Sequence, residues 1–269
     1  MARLDVKSRE YKVMLLPDAF AGSEADVRRT TDHFWAEVGK ALEQHDIPTE
    51  GTFDEVKAHR RIKFFDTQAH SLNASRYVFR ERIDVDSGGR EVTLKYRHPD
   101  RYVASDRDMG AKVEREVETK FEEDIKPPFV SVFSYSTSVG VDADTDISTV
   151  NDVVELFPGL KGELGDVEGD GELTVVREFC ARELVLVGAF LLLGRRDIEA
   201  KCAMVIWHDA QANQSTPVCV EFSFKYGDDD EDYQGTVTRD AHDVLQTLNS
   251  ELKAWVHPDP KTKTALVYG

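Results

Sequence analysis

The sequence predicts an α+β fold: a closed, eight-stranded antiparallel β-barrel with helices packed on its outside. Three observations point there. Runs alternating polar and apolar residues at period two recur along the chain, which is the strand signal. Only a few segments show the apolar spacing of an amphipathic helix. The polar faces of the strand-like runs carry sets of charges rather than random mixtures, and a closed sheet would turn those charges into a lumen.

In order, Ser8 to Leu15 places Ser8, Glu10, Lys12 and Met14 on one face and Arg9, Tyr11, Val13 and Leu15 on the other. A helix follows from Glu24 to His45, with Val27, Phe34, Val38 and Leu42 on one side. Strands are expected over Arg61 to Asp66, Arg76 to Val85 and Glu91 to Arg97, the last two joined by the hairpin signal Asp86-Ser-Gly-Gly89. Lys112 to Lys120 is the next strand. A polar helical connection spans about 133–172, with a helix at Thr149 to Leu156 stopped by Pro158-Gly159 and solvated acidic loops at Asp142 to Asp146 and Gly165 to Glu172. Arg182 to Leu193, Ile198 to His208 and Val218 to Tyr226 complete the strands, and Ala241, Leu245, Leu248, Leu252 and Trp255 mark a C-terminal helix. The expected organisation is a single domain over 1–269, two half-barrels of about four strands each joined by that connector.

Composition bounds the function. The 269 residues include 34 Lys+Arg against 51 Asp+Glu, a formal charge of −17, which argues against a nucleic-acid-coating surface. A hydrophobic fraction of 41% is enough for a packed core. The longest apolar run, Leu184 to Leu193, is half the roughly 20 residues of a membrane-spanning helix, so no membrane partner is expected. The polar start Met1-Ala-Arg-Leu-Asp-Val-Lys lacks the apolar stretch of a secretory signal. Cys180, Cys202 and Cys219 are odd in number and lack CxxC spacing, which suggests neither disulfides nor zinc and fits packed residues in a reducing cytoplasm. Asn73-Ala-Ser and Asn213-Gln-Ser match the glycosylation tripeptide only by its short pattern. A monomer or homodimer is expected.

Several chemistries are absent from the pattern. There is no GxGxxG or GxxxxGKS/T loop, no HExxH helix and no Gly-x-Ser-x-Gly elbow. Asp166-x-Glu168-x-Asp170-Gly171 opens like an EF-hand loop, but its twelfth position is Arg177 in place of the bidentate glutamate. What stands out is charge on strand faces: Glu10 with Lys12, Arg80 with Arg82, Lys95 with Arg97, Glu114 with Glu116 and Glu118, and Glu221 with Lys225. On an ordinary sheet these would be a solvated face. Turned into a lumen, unpaired charges are costly and call for a filling. A polyphosphate with a divalent cation supplies one: guanidinium and ammonium groups hold phosphate oxygens, and carboxylates hold Mg²⁺ or Mn²⁺.

These residues, taken in order, resemble the triphosphate tunnel metalloenzymes, or CYTH superfamily. The first strand of that family carries Glu-x-Glu-x-Lys, matched here by Ser8-x-Glu10-x-Lys12. Phe64-Phe65-Asp66-Thr67, then Phe79-Arg80-Glu81-Arg82 and Val92-Thr93-Leu94-Lys95, match its next strands, and Glu114 to Glu118 its glutamate-bearing strand. Phe157-Pro158-Gly159-Leu160 resembles its connector, followed by Arg182, Lys201 to Asp209 and Glu221-Phe222-Ser223 on the last strands. The order agrees over nearly the whole chain and is most diagnostic in 60–97. Two positions depart: serine stands at 8 and at 223 where the family carries glutamate.

The resemblance implies metal-dependent hydrolysis of a triphosphate, whether inorganic tripolyphosphate, thiamine triphosphate or a nucleoside triphosphate, with ATP cyclisation in some members. It implies that Glu10, Lys12, Arg80 and Arg82 are catalytic. Lys12, Arg80, Arg82, Lys95, Arg182 and Lys201 would bind phosphate, and Glu10, Glu116, Glu118 and Glu221 would hold the metal. Ser8 and Ser223 favour an alternative, a non-catalytic module that binds a polyphosphate or a phosphorylated ligand at a degenerate metal site. A third reading is a two-sheet sandwich serving as an interaction domain. No stretch identifies the organic part of a substrate.

Overall fold

A computed structural model describes residues 4–164, 171–212, 214–228, 231, 233–259 and 261–269. The EF-hand-like residues Asp166, Glu168 and Asp170, the start of the second acidic loop and Asn213 lie outside them.

Among the described residues nine strands form the frame: β1 (Ser8–Leu15), β2 (Thr49–Asp66), β3 (Tyr77–Asp84), β4 (Arg90–His98), β5 (Val117–Lys126), β6 (Val130–Val141), β7 (Thr174–Leu193), β8 (Ile198–Asp209) and β9 (Cys219–Gly227). They pair in the order β1-β5-β6-β4-β3-β2-β7-β8-β9, and β9 pairs back with β1, so the sheet closes and leaves no edge. All neighbours are antiparallel except β1 and β5, which run parallel from Ser8 opposite Glu122 to Tyr11 opposite Ile125. The expected eight-stranded, wholly antiparallel barrel is thus corrected to a nine-stranded ring with one parallel pair. The added strand is β6, which fills the first part of the stretch read as a helical connection. Its Phe133 and Tyr135 alternate with Ser134, Ser136 and Ser138, a period-two pattern hidden by the small polar residues.

Among the described residues six α-helices accompany the ring: α1 (Glu24–Leu42), α2 (Ser71–Ala74), α3 (Arg101–Ser105), α4 (Val150–Leu156), α5 (Gly235–Glu251) and α6 (Lys263–Tyr268). Ser23 and Asp26 form a reciprocal capping box at the start of α1, and Thr149 and Asp152 repeat it at α4, satisfying donors that a helix start would otherwise leave open. Val27, Phe34, Val38 and Leu42 of α1, with Val237, Ala241, Val244, Leu245 and Leu248 of α5, bury against Tyr11, Val13 and Leu15 of β1 and Val220, Phe222 and Phe224 of β9. A second outer cluster joins Leu72, Ala104, Val150 and Val153 of α2, α3 and α4 to Tyr77, Phe79, Val92, Leu94 and Phe121 of the strands. The alternation places apolar side chains under helices, so the other strand face turns inward. β2 and β7, the longest strands, cross tightly: a Cβ on Gly51, whose φ is +70°, would stand 2.0 Å from the Gly188 carbonyl oxygen. Among the described residues no helix is long and apolar enough to cross a membrane.

Candidate functional site

Strand parity assigns the inward positions. Because Tyr11, Val13 and Leu15 pack outward, Ser8, Glu10, Lys12 and Met14 of β1 face the lumen. The register then brings Lys12 opposite Ser223, Glu10 opposite Lys225 and opposite Asp124, and Ser8 opposite Glu122. Val78, Arg80 and Arg82 of β3 face inward beside Phe64, Ile62 and Arg60 of β2, as do Thr93, Lys95 and Arg97 of β4. One stretch of the lumen is apolar, with Ile62, Phe64, Val78, Val185, Val205, Trp207 and Val267 packed together. α6 belongs to it: Val267 sits in that cluster, the Tyr268 hydroxyl donates to Asp66 at 3.1 Å, and Arg97 donates to Thr264 at 2.9 Å.

Next to the apolar stretch lies a cavity of about 250 Å³. Lys12, Arg80, Lys95, Arg97, Lys126 and Lys263 line it against only two carboxylates, Asp124 and Glu221. Asp124 is the hub: its carboxylate oxygens lie 2.7 Å from Lys12 Nζ and 3.6 Å from both Lys95 Nζ and Arg97 Nε. Burial acts to raise the Asp124 carboxyl, but Lys12, Lys95 and Arg97 outweigh it and hold it well below the usual carboxylate range. Lys12 also pairs with Glu10 at 2.9 Å, and these carboxylates, against the cost of burial, hold it protonated. Lys95 fares worse. Burial pushes its ammonium down to about 7, because Asp124 is offset by the like charges of Arg97 and Lys12.

The two arginines of β3 are the least compensated. Arg82 reaches Glu91 at 3.1 Å, yet its Nε is buried with no hydrogen-bond partner. Arg80 makes no ion pair among the described residues, and its Nε is likewise buried and unpartnered. Burial, and then the like charge of Arg82, lower its pKa well below the usual guanidinium range. Since an arginine does not give up its proton in a protein, that pressure is a demand for an anion. Ser134 Oγ, fully buried and without a partner, lies on the lumen face of β6 between Arg97 and Glu122.

The structure thus gathers Glu10, Lys12, Arg80, Arg82, Lys95 and Glu221 in one lumen, and it corrects four expected site residues. Glu116 precedes β5 and is exposed; Glu118 is exposed and pairs with Lys120 at 2.6 Å. The lumen carboxylates of β5 are Glu122 and Asp124. Sequence parity does not find them because Glu122-Glu123-Asp124 breaks the alternation: Glu123 is charged on the outer face, where Arg9 takes it at 2.6 Å. Arg182 is exposed on the outside of β7, opposite Arg61 and His208. Its neighbour Glu183 faces inward, 3% exposed, bonded to Arg60 and, at 2.7 Å, to Trp207 Nε1. Burial acts to raise the Glu183 carboxyl, but Arg60, Lys263 and Arg82 bring it down to about 2. Lys201 has inward parity but is exposed at the Ser8 end, in a second cavity of about 330 Å³ with Lys225, Glu122 and Glu199. Lys263, on a short helix with no strong sequence signal, also escapes sequence reasoning. Asp66 of the Phe-Phe-Asp-Thr motif is structural: fully buried, it accepts from the backbone of Thr67, Leu72 and Asn73 at 2.8–3.0 Å.

The expected metal set does not assemble. With Glu116 before β5 and Glu118 exposed beside Lys120 at the strand's start, Glu10 and Glu221 remain. Glu221 pairs with Met14, four residues from Glu10 and so about 13 Å along the strand, with Lys12 between them. Glu221 is bound by Lys263 at 2.7 Å, and Glu122 by Ser8 at 2.7 Å and Lys225 at 3.2 Å. Among the described residues no three His, Cys, Asp or Glu side chains cluster as a metal site. The residues present do not fit the ion.

A closed ring of strands, helices outside and a charged lumen agree with the triphosphate tunnel architecture that the sequence resembles. No family model matches the chain, and no curated protein matches it. Similar solved structures include a candidate adenylyl cyclase from Hippeastrum with a dominant triphosphatase activity, at 12% identity over 97% of this chain and 95% of that one, TM-score 0.47. Others are a candidate adenylate cyclase from Vibrio parahaemolyticus, at 11% identity over 99% and 100%, TM-score 0.38, and the PH1012 protein from Pyrococcus horikoshii, at 11% over 96% and 99%, TM-score 0.35.

Proposed function

We propose that this protein binds the phosphate chain of a triphosphate inside its tunnel. The observation that carries the reading is the cavity in which six cationic side chains meet two carboxylates, with Arg80 half-buried among them, its Nε buried and unpartnered. Arg80, Arg82, Lys95 and Arg97 would hold phosphate oxygens, the guanidinium groups by paired hydrogen bonds. Inorganic tripolyphosphate, thiamine triphosphate and nucleoside triphosphates all present such a chain.

Hydrolysis of the bound triphosphate is the second reading, favoured by one feature. Glu10 and Asp124 share the Lys12 ammonium, so two ionised carboxylates stand beside the phosphate site, where they could orient an attacking water. Phosphoryl transfer asks a protein mainly for positioning and charge neutralisation, which the cationic lumen would supply.

The test is a panel of tripolyphosphate, thiamine triphosphate and ATP, with and without Mg²⁺ or Mn²⁺. Calorimetry follows binding, and release of phosphate, pyrophosphate and cyclic AMP follows turnover. Arg80→Met should weaken binding at least about tenfold, or about 1.4 kcal/mol, without lowering the melting temperature, because it removes a half-buried cation that has no ion pair among the described residues. No binding across the panel, or full affinity in both Arg80→Met and Arg82→Met, would overturn the reading.

A further inference from the structure

We propose that the tunnel takes its triphosphate without a divalent cation, because three ammonium groups of the chain itself stand where the lumen carboxylates would hold one. The inference rests on the triphosphate reading above and deepens it. Lys12 lies between Glu10 and Asp124 at 2.9 and 2.7 Å, Lys225 lies on Glu122 at 3.2 Å, and Lys263 lies on Glu221 at 2.7 Å. Every inward carboxylate of β1, β5 and β9 therefore already has a cation at hydrogen-bond distance. A magnesium ion would need several oxygens at about 2.1 Å, and to gather them it would have to displace an ammonium from the carboxylate that now holds it.

One further feature points the same way. Ser8 and Ser223 put hydroxyls where additional carboxylates would complete a ligand set, and Ser8 spends its hydroxyl proton on Glu122. Lys263 is not a loose addition, since α6 is tied down by the bonds from Tyr268 to Asp66 and from Arg97 to Thr264.

The experiment is calorimetry of tripolyphosphate binding to the full chain at neutral pH, once in EDTA and once with saturating Mg²⁺. Binding in EDTA that is as tight as in Mg²⁺, or tighter, is expected. Tighter binding in Mg²⁺ overturns the inference while leaving the triphosphate reading standing. No binding in either arm overturns that reading and the inference with it. A second measurement titrates Mn²⁺ by spin resonance without any phosphate. Wild type should leave the ion free, and Lys12→Met, which removes the ammonium that Glu10 and Asp124 share, should take it up. Uptake by wild type, or none by a folded Lys12→Met, would overturn the stand-in role of Lys12. Should that variant fail to fold, the EDTA and Mg²⁺ comparison on wild type decides alone.

Discussion

Lys95 shows how single residues in this lumen are left unfinished for a ligand. Its ammonium is pushed down to about 7 from an ordinary 10.5, burial being the main cause and Arg97 and Lys12 adding to it. Between those values the unfolded chain holds a proton that the native protein has lost, so this group's contribution to stability rises with pH through the window. Below pH 7 the charged form is carried at a cost. A bound phosphate would reverse the balance by favouring the ammonium, so binding above pH 7 should draw in a proton. At about pH 8, calorimetry of tripolyphosphate binding in buffers of differing ionisation enthalpy should show about one proton more taken up by wild type than by Lys95→Arg. Equal uptake in both would mean that phosphate does not reach Lys95.

At the scale of elements, the outcome of sequence reading followed the outer faces. β1, β3, β4, β8 and β9 carry apolar residues two apart on the face that packs under helices, and they lie within a residue or two of their expected bounds, with Arg80, Arg82, Lys95 and Glu221. β5 and β7 were read only in part, up to Lys120 and from Arg182. In β5 the outward Glu123 stands between inward Glu122 and Asp124, and in β7 the outward Arg182 stands beside inward Glu183, so adjacent charges left the parity open there. The Asp66 turn was legible as a motif, but its role was not. One carboxylate closes β2, receives the amides of Thr67 and of Leu72 and Asn73 in α2, and anchors α6 through Tyr268. Asp66→Ala would leave those buried donors open at about 1–3 kcal/mol each, so a loss of at least about 3 kcal/mol is expected in urea denaturation. A loss under about 1 kcal/mol would show that water replaces the carboxylate and that α6 does not depend on it.

The whole molecule sets an acidic exterior against a cationic interior: the chain carries −17, yet the central cavity is lined by six cations and two carboxylates. The two fields act in different media. Charges on the outside face bulk electrolyte, whose Debye length is about 10 Å at 0.1 M salt, whereas those in the lumen are walled by strands and screened much less. A phosphate chain held by exposed lysines would follow counterion release, in which six to ten contacts cost about 10³ to 10⁵ in affinity between about 50 and 200 mM salt. A chain inside the tunnel should not. Tripolyphosphate affinity is therefore expected to fall less than about tenfold over that range, because its partners are Arg80, Arg82, Lys95 and Arg97 rather than surface charge. A slope as steep as that of an exposed basic patch would put the ligand outside the ring, at the Lys7, Lys120 and Lys201 end, and would strip the closed sheet of its purpose as a shield.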